Sequence, residues 1–210
     1  MEVTFTRSSN TNVFATKETI SSFLAGVSEE FRRRGVLYLV GESSLVIEGK
    51  RSFVNEIIVA GEVDEHDQDD FRRAVDSAAS VAGIAVAIEH PADVIPLPAD
   101  AASRARRVTG FHRDDAPLQI RHFDPYTTSI RFIARGDEPD YDLVVSFLEM
   151  GWVEMSGLDD EIRKLLPRFS FDTIQQDPAE FRRKFKGLTQ IWRARAGVGS
   201  DGLTAGGVKV

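Results

Sequence analysis

The chain of 210 residues contains no cysteine, which excludes both a disulfide framework and a metal site built from thiolates. It also lacks any apolar run near the ~20 residues that a membrane-spanning helix requires. The first ten residues, MEVTFTRSSN, do not follow the charged and then apolar layout of a signal peptide. These absences predict a cytoplasmic protein that does not associate with a membrane.

Basic residues are fewer than acidic ones, with 26 Lys and Arg against 33 Asp and Glu, so the net charge is −7. An acidic surface of this kind disfavours a broad nucleic-acid interface. One local exception is the segment 104–107, Arg-Ala-Arg-Arg, which Arg113 and Arg121 follow in the sequence. Arginines of this kind are typical of an exposed loop. The alternative interpretation is a binding site for a phosphate or for RNA.

Apolar residues are plentiful and follow two different periods along the chain. They make up 42% of the sequence, which is enough to bury a substantial core. Strand and helix patterns alternate up to residue 123, and only helical patterns follow Asp124-Pro125. The sequence therefore predicts an α/β core followed by a helical C-terminal part. The predicted units are an N-terminal arm (1–15), the core (16–123), the helical part (124–195) and a disordered, glycine-rich tail (196–210).

Individual elements follow from the same periodicity. A helix that begins at Thr16 is predicted to carry the arginines 32–34 in its last turn, with Gly35 just past its end. A second helix is predicted after the acidic loop 61–70. Strands are predicted at 36–40, 54–60, 84–89 and 119–123, and later helices at 125–136, 140–150, 158–166 and 178–194.

Two groups of side chains have a structural and a functional interpretation. The loop 61–70 contains six acids and His66, which favours a solvated loop over a divalent-ion site, because the spacing does not match a twelve-residue calcium loop. The aromatic residues of the C-terminal half are predicted to pack between helices rather than to stack on nucleic-acid bases. They are Trp152, Phe169, Phe171 and Trp192.

The most informative segment is 37–60, which is predicted to form a strand, a turn at Gly41, a short helix and a second strand. This order resembles the opening of the nucleotidyltransferase superfamily, the DNA polymerase beta-like fold, in which a Gly-Gly-Ser turn precedes a strand that carries Asp-x-Asp. Later pieces extend the similarity over about residues 20–190, toward a poorly characterised bacterial family related to toxin–antitoxin nucleotidyltransferases. Those pieces are Ile95–Pro98, Arg104, Asp124-Pro125, Arg131, Ala134–Gly136, Asp140–Asp142 and Gly151.

The resemblance implies a nucleotidyltransferase-like mixed sheet with flanking helices, a helical C-terminal part and a nucleotide site at the glycine turn. Enzymes of this class use two Mg²⁺ ions, which need anionic oxygen ligands, and alternate residues of a strand supply two of these on one face. The chain keeps the first glycine and the serine of the turn but has a glutamate at the second glycine. The implied nucleotide-binding positions are Gly41, Glu42, Ser43, Arg51 and Arg131.

The metal ligands of the family are absent from their expected positions. Asn55 and Ile57 occupy the two aspartate positions, and Glu56 points to the opposite face in this register. Glu89 and Asp93 are the nearest candidates for a third acid. The sequence therefore predicts a degenerate active site with no assigned catalytic residue, no metal and no cofactor. Mg²⁺ with a nucleoside triphosphate is expected only if the enzyme is active.

Three functions remain open at this point. The first is a pseudoenzyme that acts as a binding or regulatory module with a protein partner, in a toxin–antitoxin or defence context that the resemblance implies. The second is an active nucleotidyltransferase that modifies RNA or protein with an altered set of carboxylates. The third is a structural domain without a nucleotide pocket. The sequence specifies neither the partner nor an oligomeric state.

Overall fold

The computed structural model describes residues 14–90, 95–111, 116–169 and 177–201, with side chains up to 196. Its fold is α/β, with a mixed sheet, flanking helices and a helical C-terminal part, which confirms the predicted fold class. The strands of the described residues are β1 (Gly35–Val40), β2 (Glu56–Val63), β3 (Ala85–Ile88), β4 (Arg106–Arg107) and β5 (Leu118–His122). The α-helices are α1 (Lys17–Glu30), α2 (Glu42–Ile47), α3 (Gln68–Ala82), α4 (Pro125–Arg135), α5 (Glu138–Glu149), α6 (Met155–Leu165) and α7 (Pro178–Asp201).

The sheet has the strand order β3-β2-β1-β5-β4. Strand β1 lies at its centre, antiparallel to β2 and parallel to β5. Strand β2 continues the sheet with parallel pairing to β3, and β4 pairs with β5 in the antiparallel direction. In this register Tyr38 lies between Ala60 on β2 and Arg121 on β5, so these three side chains share one face of the sheet.

The opposite face of the sheet, here called the helix face, is covered by α1 and α3. Both helices are amphipathic, and their apolar stripes bury Phe23 and Leu24 from α1 and Phe71 from α3. They pack on sheet residues that include Leu39 and Ile57. The face that carries Tyr38 is here called the Tyr38 face. Its smaller cluster consists of Tyr38, Val40, Ala60 and Phe123, with Val36, Ile58, Leu97 and Ala105 packed against it.

The helical part forms a separate core from α4 to α7, which includes Ile130, Phe147 and Phe181. Local sequence explains where α4 begins and ends. Asp124 caps its first turn, Pro125 fits a helix start because no N–H is needed there, and Gly136 ends the helix at a φ of +77°. The described residues contain no helix that is both long and apolar enough to cross a membrane.

The first predicted helix ends earlier than expected, which corrects the assignment of the triple arginine. Helix α1 ends at Glu30, and Gly35 is the first residue of β1 rather than a helix cap. The reason is tertiary. Phe31 is buried against Phe71 of α3, with ring centroids 5.5 Å apart, and Arg33 forms ion pairs with acids at the start of α3. Packing between the two helices therefore determines where the chain leaves α1.

Several other boundaries also differ from the prediction. Strand β2 runs to Val63 and so includes the start of the predicted acidic loop, and α5 and α6 begin two and three residues early. Val54 precedes β2 and instead forms an isolated bridge with Ala15, in which the Ala15 amide donates to the Val54 carbonyl at 2.8 Å. Helix α7 continues to Asp201, so residues 196–201 of the predicted disordered tail are helical. The rest of that tail, most of the predicted arm, and Asp93, Arg113 and Phe171 lie outside the described residues.

Candidate functional site

The Gly41 turn is packed beneath the helical part. Gly41 has a φ of +69°, and a Cβ placed on it would lie 2.8 Å from the ring of Phe132, a clash that only glycine avoids. Ser43 is buried, and its Oγ accepts a hydrogen bond from the Ile58 amide at 3.3 Å. The glycine and the serine that the resemblance assigns to nucleotide binding therefore also connect α2 with β2 and α4.

The glutamate of this turn already has a basic partner. The Glu42 carboxylate lies 2.5 Å from the Arg51 guanidinium, and both side chains are about one-third exposed or more. A phosphate that approached Arg51 would therefore compete with Glu42. The structure brings these two predicted nucleotide-binding residues together, but as an ion pair with each other rather than as two groups that face a ligand.

The two predicted metal positions, Asn55 and Ile57, lie in different environments. Ile57 is completely buried on the helix face, among the side chains of α1 and α3. Asn55 is exposed and precedes the strand. Glu56 and Ile58 alternate with Ile57 and so belong to the Tyr38 face, where Glu56 is exposed and Ile58 is half-buried. A pair of ligands that is not buried under the helices would occupy positions 56 and 58, and only position 56 is acidic.

Glu89 forms an ion pair with Arg131 of α4, so two further predicted residues meet in the structure. The Arg131 side chain is 11% exposed, and its Nη1 atom is buried without a hydrogen-bond partner in the described residues. Glu56 of β2 lies opposite Ala85 of β3, and Glu89 comes four residues after Ala85. The backbones of Glu56 and Glu89 are therefore roughly 13 Å apart along the strand direction. Glu56 and Glu89 therefore do not converge on one metal pair.

The described residues contain one group that could hold a metal ion, and it lies in the acidic loop. Atoms of Asp64, His66 and Asp67 lie within 4.8 Å of one another. However, the Asp67 side chain is only 7% exposed and forms an ion pair with Arg33, which also binds Asp70. A cation at this cluster would therefore compete with the Arg33 guanidinium for the Asp67 carboxylate. The loop prediction missed this partner, which lies 34 residues earlier in the chain.

A buried ion pair that the sequence did not predict joins the core to the helical part. Arg104 donates to both carboxylate oxygens of Asp124, from Nε at 3.0 Å and from Nη2 at 2.7 Å. The same carboxylate accepts from the backbone amides of Tyr126 and Thr127, so it also caps α4. The Asp-Pro dipeptide was a visible signal for the cap, whereas nothing local indicated Arg104 as the partner.

The basic segment lines a groove of about 540 Å³ together with two aromatic side chains. The Arg104 guanidinium lies over the ring of Tyr126 and the Arg106 guanidinium over that of Trp152, at 5.2 and 5.1 Å from the ring centroids. Arg107 also lines the groove. Trp152 packs against the helical core, as predicted, and it forms a wall of this groove as well.

Beneath Trp152 lies a buried histidine that the sequence left unassigned. His122 contacts the Trp152 ring at a centroid distance of 4.7 Å, and its Nε2 lies 2.9 Å from Glu48 Oε1. The hydrogen bond from His122, assisted by those from Thr109, lowers the pKa of Glu48 to about 2. An ionised carboxylate only accepts, so Nε2 carries the proton of this pair. Nδ1 is buried and has no hydrogen-bond partner in the described residues.

The burial of His122 and its hydrogen bond to Glu48 should make the free energy of unfolding fall as the pH is lowered. Burial lowers the pKa of His122, so the unfolded chain binds a proton that the folded chain does not. The resulting stability is complete above the unfolded pKa of about 6.5 and is lost as the pH falls toward the lower folded pKa. Glu48 adds a second loss between roughly pH 4.3, its unfolded pKa, and its folded pKa near 2.

Urea unfolding of the full chain at pH 8, 7, 6 and 5 measures the first of these losses. We expect His122→Gln to flatten the pH profile between 7 and 5. His66→Gln is the matched control, because the His66 side chain is 78% exposed, and it should leave the profile unchanged. Equal slopes in the parent chain and in His122→Gln would contradict the prediction.

Comparisons with protein-family models, with curated proteins and with solved structures found no match to this chain.

Proposed function

We propose that this chain is a nucleotidyltransferase-like binding or regulatory module that has lost two-metal catalysis. One observation carries the proposal. Strand β2 has an isoleucine at the second ligand position whichever face is used, Ile57 on the helix face and Ile58 on the Tyr38 face. A two-metal site needs several anionic oxygens within a few ångströms, and β2 supplies only the carboxylate of Glu56 there.

The charges around the predicted site support the same proposal. Glu42 is neutralised by Arg51 and Glu89 by Arg131, so each of these acids has an arginine partner. A carboxylate that is paired with an arginine attracts a cation less strongly. The remaining N–H groups of that arginine can bind an anion. Arg131 has such a donor, because its buried Nη1 is unpartnered in the described part of the chain. The proposed module thus binds nucleotide phosphates through arginine rather than through Mg²⁺.

The cellular setting is part of this proposal. A chain without cysteine suits the reducing cytoplasm. The resemblance in motif order suggests a bacterial toxin–antitoxin or defence pair, in which the module would bind a protein partner. The alternative is an active Mg²⁺-dependent enzyme that acts on RNA or protein with Glu56, Glu89 or Asp93 as ligands.

Isothermal titration of the four nucleoside triphosphates, each with Mg²⁺ and with EDTA, tests the proposal. We expect saturable binding of at least one nucleotide whose affinity does not depend on Mg²⁺. Arg131→Gln should weaken that binding at least about tenfold, because a hydrogen bond to a charged group contributes about 1.5–3 kcal/mol. Arg72→Gln is the matched control, since Arg72 is an exposed arginine on α3.

The other outcomes of this titration separate the competing functions. Binding that requires Mg²⁺, followed by release of pyrophosphate, would support the active enzyme. The absence of binding by all four nucleotides would contradict the proposal and favour a structural domain.

A further inference from the structure

The groove between the basic segment and Trp152 contains an arginine that has no acidic partner among the described residues. Arg106 is exposed, and it makes no hydrogen bond or ion pair with the described residues. Its neighbour Arg104 differs, because Asp100 and Asp124 neutralise it. In a chain with a net charge of −7, a guanidinium that no described acid neutralises creates a local site for an anion at the wall of this groove.

The contact of Arg106 with Trp152 leaves its hydrogen-bond donors without a partner among the described residues. The guanidinium carbon lies over the indole at 5.1 Å from the ring centroid, within the range of a cation–π contact. A cation–π contact uses none of the hydrogen-bond donors of a guanidinium, so the N–H groups of Arg106 are left for a ligand. Such a planar fork binds a phosphate or a carboxylate with two parallel hydrogen bonds.

The groove is also held in place before any ligand binds. The Trp152 indole is supported by Phe147, with ring centroids 5.4 Å apart, and by His122 at 4.7 Å. Arg106 lies on β4 directly opposite His122 in the register of β5. Asp124 holds Arg104 through two hydrogen bonds. A ligand would therefore meet arginine and aromatic side chains that the sheet and the helical part already orient.

The walls of the groove favour a nucleotide over a simple carboxylate. The two guanidinium–ring pairs, Arg104 on Tyr126 and Arg106 on Trp152, present planar groups, and unpaired bases stack on aromatic rings and on guanidinium planes. The volume of about 540 Å³ falls within the range of small-molecule sites and exceeds what one carboxylate would fill.

We infer that this groove is a second anion site, which takes the phosphate of a nucleotide, either free or within a single-stranded RNA. The Arg106 guanidinium binds the phosphate, and the base lies against the planar side chains of the groove. The inference goes beyond the proposed function and does not depend on it, because the groove shares no residue with the Glu89–Arg131 pair.

The fluorescence of Trp152 provides a direct test. The chain has two tryptophans, and Trp192→Phe leaves Trp152 as the only fluorophore of that kind. In this background we titrate adenosine monophosphate, a short oligouridylate, inorganic phosphate and polyglutamate, all without Mg²⁺. We expect a saturable change in Trp152 emission with the monophosphate or the oligonucleotide, and binding of inorganic phosphate at least about tenfold weaker, because phosphate cannot stack.

Substitutions at Arg106 separate specific binding from general attraction. Arg106→Gln should weaken nucleotide binding about tenfold or more, and Arg106→Lys should restore only part of it, because lysine lacks the planar fork. Arg72→Gln, on α3, is the control and should change nothing. Tighter binding by the oligouridylate would identify RNA as the source of the phosphate, and tighter binding by the monophosphate a free nucleotide.

Three results would overturn the inference. They are an unchanged Trp152 emission with every nucleotide, equal affinity for inorganic phosphate and nucleotides, and preferential binding of polyglutamate, which would assign the groove to an acidic peptide. The Arg131→Gln variant distinguishes this site from the proposed module. Loss of the fluorescence change in Arg106→Gln but not in Arg131→Gln places the bound nucleotide in the groove.

Discussion

Replacing Asp124 with alanine is expected to lower the free energy of unfolding by about 3–5 kcal/mol, the usual cost of breaking a buried ion pair from one side. Asp124 is fully buried and accepts two hydrogen bonds from Arg104. The substitution leaves that guanidinium, whose side chain is 20% exposed, without its main partner. It also removes the cap of α4, so the amides of Tyr126 and Thr127 lose their acceptor.

Asp100 offers a matched control for this experiment. It contacts the same guanidinium at 2.7 Å, but its side chain is 59% exposed. We therefore expect Asp100→Ala to cost no more than about 1 kcal/mol, as is usual for an exposed ion pair. Urea unfolding of both variants at pH 7 provides the comparison. Equal losses in the two variants would show that the Arg104–Asp124 ion pair does not join the core to the helical part.

The second large effect is expected at Ile57, where an aspartate should cost at least about 4 kcal/mol. The side chain is completely buried under α1 and α3, so the substitution removes a core side chain and places a carboxylate where water does not reach. The same change at Ile58, which is half-buried on the Tyr38 face, is expected to cost only about 1–2 kcal/mol.

Ile58→Asp should in addition create affinity for Mg²⁺. The new carboxylate and that of Glu56 lie two residues apart on one strand and therefore share a face. We expect Mg²⁺ to raise the melting temperature of Ile58→Asp at millimolar concentration, because a ligand that binds the folded state stabilises it. The parent chain and Ile58→Asn should show no such shift. If Ile57→Asp proved as stable as Ile58→Asp, or if Mg²⁺ left Ile58→Asp unchanged, the assignment of the faces of β2 would be wrong.

Periodicity alone does not determine which face of β2 is buried. The run 57–60, Ile-Ile-Val-Ala, is apolar on both faces, so a period of two does not reveal which residues face the helices. The packing of α1 and α3 decides this, because they cover the face of Ile57. Helix starts were easier to predict. Asp124 and Pro125 begin α4 through contacts within one turn, which the sequence displays directly.

The candidate groove could not be predicted from its sequence segments alone. Arg106 and Trp152 are separated by 45 intervening residues, and Arg106 reaches the indole because β4 pairs with β5 beside the helical part. The Glu48–His122 hydrogen bond joins residues 74 positions apart. The triple arginine illustrates the same limit, because only the packing of α1 against α3 brings Arg33 to its acidic partners at the start of α3.

By itself the sequence determined the absence of disulfides, the α/β core with its helical C-terminal part, the order of the main strands and helices, and the lack of the two aspartates in the predicted motif. These properties depend on composition and on contacts a few residues apart. The tertiary structure alone decided which face of β2 is buried, how the acids are paired with arginines, and where Arg106 meets Trp152. The physical reason is that burial and ion pairing join residues far apart in the chain, and their partners are set by the packing of whole helices and strands.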